Sequence, residues 1–388
     1  MAKELAFVLI NPYPVRKSRT GGIIARYLAR TDIKLVGARL FGGTQAWVDE
    51  FSDYLTNYTD DKEVCELFSN YLRRNYTPDK ATGRRHRFMG LLFEGEDAIK
   101  KIYDLTGSTR QAWGNGQTVR DTFGDLVRDD NGNVKYFEPA VLVGRNIEVA
   151  RAALRFLAKH FEHDSGFVRG ASDVPVGGGV EQTLVMLKPD NFNQPSLRAG
   201  NIVDLFSGSG LRIVAVKKFA MCVNQALEFY GPVRESLRKA FCSFAPDRAA
   251  QSLASEFGFP VDASALSGLC ETLAPVFAER EFENIIEFMS GRRPSQCPVG
   301  ERQAAGPKEC LALIYEGVGA VGKIREILGS TDPNKARPGS IRREFGTNIM
   351  VNAAHASDSV ENATREMGIL DIGRDLHFWE LIHHYYPQ

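Results

Sequence analysis

The sequence predicts a mixed α/β protein built from a strand–helix–strand unit that occurs twice along the chain. The first unit is predicted to contain a strand, a helix and a strand at 7–13, 20–28 and 33–41. The second is predicted to contain the same elements at 183–190, 199–206 and 211–219. Short apolar runs are typical of strands, and a proline ends the first strand of each unit.

Two further pairs of segments resemble each other in the same order. Residues 92–109 resemble 314–331, and residues 116–124 resemble 339–346. Three matching pairs in one order favour a duplication over chance similarity. Matched residues are further apart in the second half, which predicts an added helical lobe at about 242–280.

The length and the repeat together predict two domains. A chain of 388 residues exceeds one ordinary core. We expect a first domain at 1–162, a glycine-rich linker at 163–180 and a second domain at 181–388 that contains the added lobe.

Composition limits the classes of partner. Lys+Arg and Asp+Glu both number 48, so no net charge attracts nucleic acid or an acidic membrane. The six cysteines form no CxxC pair, which favours a reducing compartment. The apolar run at the N-terminus is too short for a signal peptide, and no segment has transmembrane length. These features predict a cytoplasmic protein without a membrane partner.

The most informative segment lies near the C-terminus, where His355 follows a short apolar run. Ser357-Asp-Ser359 comes next and is typical of a helix N-terminus. A neutral imidazole at such a junction faces the positive end of a helix, and an anion such as a phosphoryl group suits that position.

Further motifs precede this segment. They are Thr183-Leu-Val-Met-Leu-Lys188-Pro-Asp, Tyr230, Glu287-Phe-Met-Ser-Gly291, Gly329-Ser-Thr331-Asp-Pro and Pro338-Gly-Ser-Ile-Arg342. With the histidine segment, they resemble the nucleoside diphosphate kinase family, and the first half of the chain resembles the same fold more faintly. The resemblance implies two ferredoxin-like βαββαβ domains with antiparallel sheets, the second carrying a helical insertion.

The resemblance also implies an activity. His355 would accept a phosphoryl group from ATP or another nucleoside triphosphate and pass it to a nucleoside diphosphate in a ping-pong reaction. The residues to which it assigns catalytic roles are His355, Lys188, Glu366 and Tyr230. The residues to which it assigns nucleotide binding are Lys188, Arg325, Thr331, Arg342, Asn352 and Phe282. Mg²⁺ is the implied cofactor, bridging the phosphates rather than held by dedicated protein ligands.

These residue types suit the reaction on physical grounds. A partly neutral imidazole is a competent nucleophile near neutral pH. Phosphoryl transfer depends mostly on cationic groups that neutralise the non-bridging oxygens. One position departs from the family, which stacks the nucleobase on the first residue of an aromatic pair. Glu281 stands at that position, followed by Phe282.

The same register predicts that the first half is catalytically silent. Leu142 stands in place of His355, and Asn11 stands in place of Lys188. Tyr103 and Pro139 replace Arg325 and Asn352, whereas Thr109 and Arg120 persist. Arg120 and Arg145 could still bind a phosphate passively, but an ion pair is their expected role. The family's domains form dimers, so a tandem chain is expected to form such a dimer internally and to assemble further into a homo-oligomer, for example a trimer of chains.

Two other functions remain open. A non-catalytic nucleotide-binding or scaffolding module would keep the fold without turnover. Nucleic-acid binding is disfavoured by the balanced charge, and the basic run at 84–87 is interpreted as a solvated loop.

Overall fold

The computed structural model describes residues 3–110, 116–170 and 178–387. The strands are β1 (Lys3–Ile10), β2 (Lys34–Gly42), β3 (Arg87–Glu96), β4 (Asp125–Arg128), β5 (Val134–Glu138), β6 (Val141–Val143), β7 (Val180–Leu187), β8 (Arg212–Cys222), β9 (Ala305–Val318) and β10 (Ala354–Ala356). The helices are α1 (Pro12–Arg16), α2 (Thr20–Arg30), α3 (Gln45–Leu55), α4 (Lys62–Asn75), α5 (Ala98–Thr106), α6 (Val119–Phe123), α7 (Ile147–Phe161), α8 (Arg198–Ser207), α9 (Val223–Tyr230), α10 (Val233–Phe257), α11 (Ala263–Ser290), α12 (Ala320–Leu328), α13 (Ile341–Phe345), α14 (Val360–Ile369) and α15 (Leu376–Tyr385).

Eight strands form one sheet in the order β10-β7-β9-β8-β2-β3-β1-β6. Each half contributes four strands, and each set of four has the βαββαβ order of a ferredoxin-like fold, with its first and third strands in the centre. The pairs β1–β3, β1–β6, β7–β9 and β7–β10 are antiparallel. The predicted mixed α/β class with antiparallel ferredoxin-like sheets is confirmed.

The two halves join through their second strands, β2 and β8, and through the helices that precede these strands, α2 and α8. β2 pairs with β8 in antiparallel fashion at Arg39 and Lys217. Helices α2 and α8 cross closely, because a Cβ on Gly21 would lie 2.6 Å from the carbonyl oxygen of Gly200. A Cβ on Gly200 would in turn lie 2.3 Å from the backbone nitrogen of Ala25. Only glycine permits this backbone contact, so the crossing depends on these two positions.

The two compact units of the structure do not coincide with the two repeated halves of the sequence. One unit comprises Met1–Phe219 and Cys310–Gln388, and the other comprises Ala220–Glu309. The second unit contains α9 and the long hairpin of α10 and α11, which extends beyond the predicted lobe at 242–280 on both sides. The predicted boundary between 1–162 and 181–388 separates the two sets of strands, not the two compact units. Of the predicted linker at 163–180, residues 171–177 lie outside the described residues.

The C-terminal segment is docked through aromatic side chains. Phe378 packs against Phe41 with ring centroids 5.8 Å apart, and the hydroxyl of Tyr386 donates to the carbonyl of Leu5 at 2.6 Å. The solvated-loop interpretation of 84–87 is wrong for Arg87, which begins β3, is 5% exposed and donates to the carbonyl of Ile213. None of the described helices combines the length and the apolar character needed to cross a membrane.

Candidate active site

His355 lies on the short edge strand β10, opposite Met186 of β7. Its Nε2 is 2.9 Å from Oε2 of Glu366, and 21% of its side chain is exposed. The hydroxyl of Ser357 donates to the same carboxylate oxygen at 2.6 Å. A carboxylate accepts hydrogen bonds, so this contact assigns the proton of a neutral imidazole to Nε2 and leaves the lone pair on Nδ1.

The position of Glu366 follows from the start of α14. The side chain of Ser359 caps this helix by accepting a hydrogen bond from the backbone nitrogen of Asn362 at 3.1 Å. Glu366 is then two turns into the helix and is 5% exposed. Its other oxygen, Oε1, lies 3.6 Å from Nη2 of Arg365. The cap therefore determines where the carboxylate meets the histidine ring.

Lys188 immediately follows β7 and is 8% exposed. Its backbone nitrogen donates to the carbonyl of Ala353 at 3.0 Å. Its ammonium donates to Oδ1 of Asn352 at 2.7 Å and to the carbonyl of Met350 at 3.0 Å. Burial, and secondarily the charge of Arg342, lowers the pKa of Lys188 to about 8. A bound anion would therefore stabilise the charged form of this buried ammonium.

Arg342 and Thr331 continue this cluster. Nη1 of Arg342 donates to the carbonyl of Gly329 at 3.1 Å and lies 3.4 Å from Oγ1 of Thr331. Its Nη2 donates to the carbonyl of Ala354 at 3.2 Å, one residue before His355. The amide nitrogen of Asn352 donates to the carbonyl of Thr331 at 3.0 Å. Continuous contacts thus join Lys188, Asn352, Thr331 and Arg342.

Three predicted site residues lie outside these contacts. Arg325 is on an exposed position of α12. Tyr230 and Phe282 belong to the other compact unit, at the end of α9 and in α11. Phe282 is fully buried, and the guanidinium of Arg234 lies over its ring at 3.7 Å from the centroid. The roles assigned to these three residues stay predictions.

Three further polar side chains, to which the motifs assign no role, lie in or next to this cluster. One is Ser357, which shares the carboxylate of Glu366 with the histidine. Another is Asn191, whose amide donates to the carbonyl of Ala353 at 2.7 Å. The third is Arg198, which donates to Oδ1 of Asn191 at 2.8 Å. Position alone could have suggested Ser357 and Asn191, since they lie two residues after the histidine and three after the lysine.

The corresponding part of the first half has another arrangement. Leu142 occupies the place of His355 on β6 and is 5% exposed. Asn11 is fully buried, donates to Oε1 of Glu138 at 3.2 Å and accepts from the hydroxyl of Tyr76 at 2.6 Å. Tyr71 donates to the other oxygen of Glu138 at 2.6 Å. Burial raises the pKa of Glu138. A neutral amide and a carboxyl group therefore stand where the second half has an ammonium.

A dedicated metal cage is not visible in the part of the chain that the structure describes, because no three His, Cys, Asp or Glu side chains cluster there with suitable geometry. The site in the second half instead combines an oriented imidazole with nearby cationic and hydroxyl groups. Such a set can hold an anion and attack it with nitrogen.

Part of the chain is similar in sequence to known proteins. The family model described as nucleoside diphosphate kinase matches residues 300–370. The nucleoside diphosphate kinases of a Nitratiruptor species and of Campylobacter hominis are each 29% identical over 198 residues, which cover 51% of this chain and 99% of those proteins.

Two solved structures are also similar. The nucleoside diphosphate kinase of Aquifex aeolicus is 29% identical with a TM-score of 0.32, and the alignment covers 49% of this chain and 94% of that one. The NDP kinase from Pyrobaculum aerophilum is 25% identical with a TM-score of 0.34 and the same coverage. Residues 300–370 are thus similar to the nucleoside diphosphate kinase family model, and about half of the chain is similar in sequence to whole nucleoside diphosphate kinases.

Proposed function

We propose that the second half of the chain is a nucleoside diphosphate kinase that works through a phosphohistidine at His355. The observation that carries the proposal is the contact of 2.9 Å between Nε2 of His355 and Oε2 of Glu366. This contact leaves Nδ1 as the nucleophilic nitrogen.

The reaction has two steps of the same kind. In the first, the lone pair of Nδ1 attacks the γ-phosphorus of a nucleoside triphosphate, and the bond from that phosphorus to the β-phosphate oxygen breaks. The diphosphate leaves, and the proton on Nε2 stays in its hydrogen bond with Glu366. In the second step, a terminal oxygen of another nucleoside diphosphate attacks the phosphorus, and the N–P bond breaks. Glu366 stabilises the positive charge that the ring carries in both transition states.

Nucleotide binding is assigned to the connected cluster. Lys188 and Arg342 supply positive charge to the phosphate oxygens, and Thr331 supplies a hydroxyl. Asn352 holds the ammonium of Lys188 at 2.7 Å and so fixes its position. The nucleotide-binding roles predicted for Arg325 and Phe282, and the catalytic role predicted for Tyr230, are kept as parts of the proposal. Mg²⁺ would be held chiefly by the nucleotide rather than by dedicated protein ligands, and it would supply positive charge to the phosphate oxygens.

The test is phosphoryl transfer to the protein itself. The purified chain is incubated with γ-labelled ATP and Mg²⁺, and the label is examined for the acid lability and alkali stability of a phosphohistidine. We expect label on the parent, none on His355→Ala, and discharge of the label by GDP. His377→Ala is the matched control, since His377 is exposed and remote in sequence from the site.

A second candidate function gives a distinct result. If the parent and both variants carry no label but still bind nucleotide, the chain is a nucleotide-binding or scaffolding module rather than a kinase. A cytoplasmic location and a homo-oligomer are further parts of the proposal. The mass of the native particle in solution would measure the number of chains.

A further inference from the structure

The first half contains a cavity of about 400 Å³ beside β6, at the opposite end of the sheet from His355. Leu142 lies in its wall, together with Thr109, Arg120 and Arg145. Small-molecule sites commonly measure about 300–1,000 Å³, so the cavity can hold a compact ligand. The space beside Leu142 is therefore not filled by packed side chains.

Arg120 is held in this cavity in the same way as Arg342 in the second half. Its Nη1 donates to the carbonyl of Gly107 at 2.6 Å, as Nη1 of Arg342 does to Gly329. Its Nη2 lies 3.5 Å from the carbonyl of Val141, the residue that precedes Leu142. The equivalent bond of Arg342 is to the residue that precedes His355. The position of the guanidinium is thus preserved although the nucleophile is absent.

The expected ion pair of Arg120 is not present in the described part of the chain. The carbonyls of Gly107 and Val141 are its hydrogen-bond acceptors, and its Nε is buried without a partner. Two carboxylates line the cavity, but each has a cation of its own. Asp61 pairs with Arg110 at 2.8 Å, and Asp104 pairs with Lys100. The cavity therefore holds a guanidinium whose charge no described carboxylate neutralises, and burial lowers the pKa of Arg120.

Apolar and aromatic groups form the rest of the wall. Phe68 is 4% exposed, and the guanidinium of Arg120 lies 5.5 Å from the centroid of its ring. Tyr58 and Phe51 also line the cavity. A ligand that satisfies both parts of the wall carries a phosphate at one end and a planar ring at the other.

We propose that this cavity is a second nucleotide site, which binds a nucleoside phosphate through Arg120, Arg145 and Thr109 without reacting with it. Leu142 offers no nucleophile, so the ligand stays intact. The site is separate from the one at His355, and each half of the chain would hold one nucleotide.

Calorimetric titration of the full chain with ADP tests the proposal. The parent is expected to bind two ADP molecules per chain. In an Arg342→Gln background, one ADP is expected to bind, and adding Arg145→Glu should weaken this event about tenfold or more, because a charge-assisted contact is replaced by repulsion. Arg145 is exposed, so its replacement does not disturb the core. Arg151→Glu is the matched control, an exposed arginine on α7 that does not line the cavity.

The outcomes separate this proposal from the kinase proposal. Loss of the remaining ADP with Arg145→Glu, but not with Arg151→Glu, supports the second site even if His355 carries no label. Binding of one ADP per parent chain, unaffected by Arg145→Glu, overturns it. Pyrophosphate binding as tightly as ADP in the Arg342→Gln background overturns the assignment of a nucleoside phosphate.

Discussion

The lowered pKa of Lys188 predicts how the stability of this protein depends on pH. Burial is the main cause of the decrease from 10.5 to about 8. At about 1.36 kcal/mol for each pH unit, this difference corresponds to about 3 kcal/mol. Between pH 8 and 10.5 the unfolded chain keeps the proton of Lys188 while the folded protein has lost it. The free energy of unfolding from this group therefore rises with pH across that window, and the full cost of burying the charge is present below pH 8.

The same group predicts the opposite trend for ligand binding. An anionic nucleotide is attracted by the charged ammonium and not by the neutral amine. The affinity for ADP should therefore fall as the pH rises through about 8. Because a single proton is involved, the affinity for ADP should fall by at most about tenfold for each pH unit.

The assay compares the parent with Lys188→Met at several pH values from about 7 to about 10. Unfolding in urea gives the difference in stability, and calorimetry gives the affinity for ADP. The difference in stability between parent and variant should shift in favour of the parent by about 2.5 kcal/mol over this range. Lys323→Met is the matched control, since Lys323 is exposed on α12. A difference that stays constant with pH would refute the assignment of a buried, charged Lys188.

Two other groups of substitutions test the site and the join between the halves. Glu366→Gln should slow the labelling of His355 about tenfold to a hundredfold without weakening nucleotide binding, because the carboxylate contacts the ring. Ser357→Ala should have a smaller effect, and a parental rate for Glu366→Gln would contradict the assigned role. Gly21→Val should lower stability by about 2–3 kcal/mol or more, because its Cβ would lie 2.4 Å from the backbone of α8. Gly322→Ala, with open space around its Cβ, should raise the melting temperature slightly, and equal effects of the two would argue against the close crossing.

Much of the fold could be predicted because the chain repeats its own pattern. The strand–helix–strand units beginning near Phe7 and Thr183 both form in the predicted order, although β1 ends at Ile10 and β7 ends at Leu187, before the predicted ends. The contact between the halves could not be predicted in this way, because it depends on backbone proximity at Gly21 and Gly200 rather than on an apolar pattern. The helices of the second unit run beyond the predicted lobe, since α10 begins at Val233, directly after Gly231-Pro232.

The second-half site was predictable to the extent that its residues lie in short motifs. Lys188, Asn352 and Arg342 are in continuous contact, as a shared role in binding requires. The motifs did not predict the state of Lys188, because a lowered pKa arises from burial in three dimensions. They also did not predict that Arg120 lacks a carboxylate partner among the described residues, since an ion pair depends on which chain segments meet.

The first half supplies a strict test of whether the histidine alone defines the site. Leu142→His would restore the nucleophile on β6, at the end of the sheet opposite His355. However, α7 begins with Asn146 as its cap, as α14 begins with Ser359, and this register puts Ala153 where α14 has Glu366. Ala153 is 1% exposed and has no group that could accept the ring proton.

The restored imidazole would thus lack both its orienting carboxylate and the ammonium that Asn11 replaces. We expect Leu142→His combined with His355→Ala to stay unlabelled by γ-labelled ATP, although the cavity can still bind the nucleotide. Label at position 142 would show that a cavity with Arg120 suffices for transfer, and that the carboxylate and the lysine are dispensable. Its absence, with ADP binding intact, would separate nucleotide binding from nucleophile activation as two properties carried by different residues.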